Sequence, residues 1–291
     1  MTGNHCMKSG LLVGSMLAAL VCAGAFWPAG DVRGAANEAA IPTFATDSTI
    51  GWQLSDDEFI SPPSGPGPIV SDPAHPYVSF YRFPRNPNPT FRVADLNNPI
   101  LQPWAREELR KANERSLSGK IISIPKERCW PAGVPAFLLY PATPVYFIQT
   151  PKEVVMIWMQ DHQVRHVYLN QPHSAKPLPT WFGESVGHYE GDTLVVDTVG
   201  LSAKTFVDNY FTPHTEQLHV IERFHMVDEG KTLEVNVRVE DPGTFTTSWN
   251  AIQRYRRMDQ GPMVEVVCAE NNGDHFHQEI GSIPSAEKPD F

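Results

Sequence analysis

TWFGESVGHYEGDTLVVDT, residues 180–198, decides between two folds. Its GESVG core (183–187) fits the G-x-S-x-G elbow of a serine hydrolase, where the serine sits on a sharp turn between a strand and a helix. Downstream of Ser185 there is no helical pattern. His188 and Tyr189 lead into a Glu-Gly-Asp turn, and Thr193 to Val199 is apolar and β-branched. Two extended runs across a glycine-containing turn read as a β-hairpin. On that reading Gly183 and Gly187 let the backbone turn or kink ahead of the hairpin. Ser185, then Asp197 or Asp208, then His214 or His219 is a possible triad order. A short pattern outside its strand-turn-helix context is not evidence of one.

The same texture continues outward. LHVIERFHMV (218–227), the turn DEGK, and TLEVNVRVE (232–240) form a second hairpin. Its later arm alternates cleanly: Leu233, Val235, Val237 and Val239 share one face. EVVMIWMQDHQVRHVYL (153–169) reads as one long strand. SWNAIQRYRRM (248–258) and MVEVVCAE (263–270) continue the series. Successive strands without intervening helices predict an antiparallel meander, closed into a lipocalin-like barrel that removes its open edges. The fold expected is therefore mainly β, with a barrel-like domain over 119–272 and a polar tail over 273–291.

Ahead of it the texture differs. Residues 37–118 form a Pro-rich arm with one helix. SPPSGPGPIVSDPAHP (61–76) and FPRNPNP (83–89) exclude helix interiors and central strands, because proline lacks an N–H. Phe59, Tyr77, Phe80, Tyr81, Phe83 and Phe91 favour an arm that packs, with a short edge strand over Tyr77 to Phe83. The helix spans QPWAREELRKANERS (102–116), with Pro103 near its start. Residues 1–36 read as an export signal: Lys8, then LLVGSMLAALVCAGAF (11–26), then small residues at 34–36. A periplasmic or secreted protein is expected, with no membrane span after cleavage. Cys129 and Cys268 remain, and an oxidising compartment would let them pair, although spacing alone does not show that they do. The net charge of −10 over 291 residues argues against a nucleic-acid partner. Neither phosphate-binding glycine pattern is present, so no nucleotide cofactor is expected.

Candidate site residues are charged groups on faces that should be buried. Glu222 shares a face with Leu218, Val220, Phe224 and Met226. Asp197 stands in a strand apolar on both faces, and Glu270 follows Val264, Val266 and Cys268. A lone buried carboxylate costs several kcal/mol, so these need partners, with Arg165 and Arg223 among those available. His214 sits on the loop PHTE (213–216), where barrel-mouth site residues gather. His214 is thus read as general acid or base, Glu222 or Asp197 as the second proton-transfer group, and Arg223 as its orienting partner. Trp181, Glu184, Trp249, Arg165 and Glu270 would contact a small-molecule ligand. Loops 171–185 and 201–217 would close one end of the pocket. No metal or other cofactor is assigned: His162 and His166 on one strand stand about 13 Å apart. His275 and His277 could chelate, but they lie in the polar tail.

Several blocks resemble a family of uncharacterised exported bacterial β-rich proteins. They are PW (103–104), RCWPAGVP (128–135), PTWFGESVGHYEGDTLVVDTVG (179–200), PHTEQLHVIERF (213–224), VEDP (239–242) with Trp249, and CAEN (268–271). The resemblance covers most of the chain beyond about residue 100 and weakens at the C-terminus, where AENNGDHFHQ stands in place of the Glu-Gly-Asn sequence and apolar segment more often found in the family. It implies export and a shared β-rich fold, and carries over no catalytic residue. The function expected is a cofactor-free acid/base enzyme (lyase, isomerase or hydrolase) on a neutral or aromatic substrate. The alternatives are a ligand-carrying barrel and a structural protein whose arm docks a partner.

Overall fold

The computed structural model describes residues 41–44, 50–79, 92–119, 129–139, 143–259 and 261–268. The core is a closed barrel of β1 (Ile50–Leu54), β2 (Val145–Gln149), β3 (Glu153–Trp158), β4 (Gln163–Leu169), β5 (Glu184–Glu190), β6 (Thr193–Val199), β7 (His219–Val227), β8 (Thr232–Glu240) and β9 (Trp249–Asp259). Each strand pairs with its neighbours in sequence, and β9 returns to β1. The mainly-β barrel with a single α-helix among the described residues is as the sequence predicts. One pair departs from the meander: β4 and β5 are parallel, joined at Val167–Ser185, Tyr168–Val186 and Leu169–Gly187. A parallel pair needs a crossover rather than a turn, and residues 170–183 make it. Its far end is fixed where Thr180 N–H donates to Gly200 O and Ser202 N–H to Thr180 O.

Local chemistry explains the strands. Burial alternates along β7 and β8, and the β8 valines lie inside. The turn between them places Asp228, Glu229 and Gly230 at positive φ. β5 and β6 are the hairpin read from 180–198, in register from Glu184–Val199 to Glu190–Thr193. The glycines of GESVG answer to space. A Cβ on Gly183, at φ +66°, would stand 2.4 Å from Val199 O, and one on Gly187 2.9 Å from Val167 Cγ1.

Three expectations are corrected. The run 153–169 is two strands, because Met159 to His162 turn, with Asp161 and His162 at positive φ. Residues 263–268 form no strand; they return past the β3–β4 turn, where Asp161 N–H donates to Val266 O. The expected edge strand is absent from Tyr77 to Ser79, while Phe80 to Phe83 lie outside the described residues. The arm's strand is instead β1, inside the stretch assigned to wrapping, and it closes the barrel.

The rest of the arm packs as its aromatics suggest. Phe59 meets Trp249 at 6.1 Å, edge on. The helix α1 (Pro103–Leu117) buries Ala105 and Leu109. Its Asn113 clamps the arm, accepting from Ala94 N–H and donating to Ala94 O. Trp104 stays 42% exposed rather than packing inward. Cys129 and Cys268 form a disulfide. The barrel interior is filled: Trp52, Trp158, Trp249, Phe147, Phe224 and Tyr255 are almost wholly buried there. A ligand carried down the barrel axis has no room.

Candidate functional site

The inner face of the wall holds a buried polar group of four residues. Arg165 of β4 donates through Nη1 to Glu222 Oε1 at 3.0 Å and through Nη2 to Glu222 Oε2. Both side chains are 0% exposed. Nε and Nη2 also reach Ser185 Oγ, at 3.3 and 3.2 Å, and Nη2 reaches Thr198 Oγ1 at 2.9 Å. The guanidinium lies 5.6 Å from the centre of the Phe137 ring. Strand alternation aims all four inward from β4, β7, β5 and β6. A buried ion pair survives its desolvation cost only with such extra hydrogen bonds. Ser185 is therefore an acceptor for Arg165 and shares a hydrogen bond with Thr198. No imidazole is hydrogen-bonded to it among the described residues.

The outer face of the same strands carries a line of alternating acids and imidazoles. His173, on the crossover, meets Glu184 Oε1 through Nδ1 at 3.0 Å and Asp197 Oδ1 through Nε2 at 2.9 Å. His219 meets the same Asp197 oxygen through Nε2 at 2.9 Å, and Glu240 Oε2 through Nδ1 at 3.3 Å. Arg238 Nε donates to Glu240 at 2.6 Å and ends the line. Each imidazole thus faces a carboxylate at both nitrogens. For His219 the doubly protonated ring, which donates from both nitrogens, suits this bracket. The electrostatics agree. Asp197 is held below the usual carboxylate range, chiefly by His219 and, against some desolvation, by His173. His219 is raised, chiefly by Asp197. Glu184 is lowered by its contacts with Ser174 and His173, and Glu240 chiefly by Arg238.

Glu184 connects this line to a cleft of about 430 Å³ beside β4. The cleft opens where β4 and β5, paired only from Val167 onward, diverge toward their N-termini. Its lining has a two-residue period. Val164, His166 and Tyr168 project from the outer face of β4. Ser174, Lys176, Leu178, Thr180, Phe182 and Glu184 come from alternate positions of the crossover and the start of β5. Pro177 and Pro179 take intervening positions, where fixed φ keeps the chain extended. Arg165 and Ser185 reach the cleft floor, so the buried pair lies directly behind it.

The expected residues are scattered. Asp197 and Glu184 come together, bridged by His173, which sequence reading missed. Glu222 is as buried as its periodicity implies. Its partner, however, is Arg165, not Arg223. Adjacent strand residues point to opposite faces, and Arg223 turns outward to Glu190. His214 is apart from all of them: it is buried, with Nδ1 on Thr215 O at 2.8 Å and Nε2 on Thr205 Oγ1 at 2.7 Å. Burial pushes its pKa down, as suits a loop anchor. Trp249 is core, against Phe59 and Phe245. Trp181 packs on Trp130 at 5.4 Å. Glu270, His275 and His277 lie outside the described residues. His173 sits in QPHSAK, a polar stretch without strand periodicity, and only the crossover brings it to β6. No family model matches the chain, and neither a curated protein nor a solved structure matches it.

Proposed function

We propose that the protein is a proton-transfer enzyme of the hydrolase, lyase or isomerase type, acting on a small molecule in the β4–β5 cleft. Glu184 is the general base at the cleft wall. His173 orients its carboxylate, and Asp197 with His219 holds His173 in place. The carrying observation is the unbroken line of carboxylate-bracketed imidazoles that ends at a cleft-lining carboxylate. A base needs a partner that fixes its orientation, and His173 stands at 3.0 Å from Glu184 to do so.

The exposed apolar side chains of Val164, Tyr168 and Leu178 around the same cleft support a second reading, ligand binding without turnover. The carrier would then use the wall, not the barrel axis. One experiment separates the two. Wild type and Glu184→Gln are assayed over a panel of aromatic esters, lactones and ketones with acidic C–H bonds. Proton-transfer catalysis predicts turnover by wild type and a loss of about 10²-fold or more in the variant. Ligand binding with no turnover by wild type on any panel member would leave the carrier. Turnover undiminished in Glu184→Gln would remove Glu184 as the base.

A further inference from the structure

The cleft itself specifies what it takes. His166 and Tyr168, two apart on β4, present parallel rings, 6.0 Å between centroids and 14° between planes. Tyr168 remains 43% exposed. Leu178, 71% exposed, is presented to the same cleft from the crossover. A flat ring laid between these walls would cover apolar surface that water now covers, and stacking rewards planarity beyond area alone. The crossover is already held extended by its prolines and by hydrogen bonds near both ends, at Ser174 and Thr180. Little ordering remains to oppose binding.

Charge bears on the ligand's sign. The chain as a whole carries −10, yet one cation on the cleft wall, Lys176, stands outside the ion pairs among the described residues. Arg165 is neutralised by Glu222. His166 pairs with Glu153. The Glu184 carboxylate is engaged by Ser174 N–H and His173. Lys176 lies within ion-pair distance of no carboxylate among the described residues. A local positive group on a negative molecule selects an anion at the rim.

We infer that the cleft binds a planar aromatic carboxylate, its ring between Tyr168 and Leu178 and its anionic group on Lys176. This rests on the reading of the cleft as the substrate site. A volume near 430 Å³ suits one or two fused rings with a short substituent.

The test uses three probes of matched size in isothermal titration calorimetry: 2-naphthoate, 2-naphthamide and decahydro-2-naphthoate. The first should bind, the amide about tenfold or more weakly, and the saturated acid also weakly. Lys176→Gln should bring naphthoate down to the amide's affinity and leave the amide unchanged. Tyr168→Ala should weaken both aromatic probes by about five- to tenfold. Equal binding of acid and amide, indifference to Lys176→Gln, or preference for the saturated acid would each overturn the assignment. The fate of the enzyme reading is separate. Naphthoate binding that survives in Glu184→Gln, with no turnover by wild type, keeps the ligand class and removes the catalysis. Glu184-dependent turnover that naphthoate does not inhibit removes the ligand class and keeps the catalysis.

Discussion

Glu222 lies inside a barrel whose other large inward residues are mostly tryptophan, phenylalanine, valine and leucine, and only Arg165 makes that tolerable. The pair is fully desolvated and bidentate, and two hydroxyls take up further guanidinium N–H groups. Removing one partner leaves a naked charge; removing both leaves an apolar gap that leucine and methionine can fill. Glu222→Ala and Arg165→Met should each lower the free energy of unfolding by about 3–5 kcal/mol. The double variant Arg165→Met with Glu222→Leu should recover most of that loss. Urea titrations of the three variants measure this. Single losses below about 1 kcal/mol would mean that the two charges are hydrated in solution. At this scale the sequence is half legible. Its period-two pattern alone puts Glu222 on the core face. It does not single out Arg165, which stands in a different hairpin, from the other available arginines, and the adjacent Arg223 points the other way for the same reason that Glu222 points in.

Strands β5 to β8 and the crossover meet along the line from Glu184 to Arg238, so that line is an inter-element bond as well as a candidate catalytic device. Its contribution depends on pH in a direction the contacts dictate. His219 has its folded pKa raised, with Asp197 the leading cause, so its stabilisation is full below the unfolded value of about 6.5 and is lost as pH rises through the folded one. Asp197, Glu184 and Glu240 are lowered. Their stabilisation is present above about pH 4 and lost as pH falls through their folded values. The line is therefore best held between about pH 5 and 6.5. His219→Gln should cost most in that window and progressively less as pH rises above about 6.5, read as the difference in urea midpoint from wild type. The side chains of His219 and Asp197 are 30% and 38% exposed, so salt should shrink the difference. A difference that grows with pH would contradict the assignment of Asp197 as the partner that raises His219. The hairpins themselves are readable, because alternation and turn residues are local. The crossover is not: QPHSAKPLP has no period that announces a wall, and the parallel pairing it creates is what opens the cleft.

Closure of the whole barrel rests on five residues of a segment that otherwise reads as a wrapping arm. β1 pairs with β9 at five positions, from Ile50–Asp259 to Leu54–Tyr255, and with β2 at Trp52–Val145. IGWQL is too short to show a period and sits in a stretch of Asp, Ser and Pro, so nothing local marks it as a barrel strand. Its fit is nonetheless specific. Trp52 is 1% exposed, and its indole N–H donates to Phe44 O at 3.0 Å. A Cβ on Gly51 would stand 2.6 Å from the Pro144 Cβ. Without β1, β2 and β9 would each present an open edge above an exposed aromatic core, the condition that drives edge-to-edge association. Trp52→Ala should cost about 3–5 kcal/mol through the void it leaves. A chain beginning at residue 56 should do worse, binding a hydrophobic dye and self-associating in sedimentation experiments. If that shortened chain stays monomeric and unfolds at the midpoint of the full one, β1 is an accessory and the other eight strands close on their own. If it associates, the arm is part of the barrel, and the boundary between the Pro-rich segment and the β domain is one of composition alone.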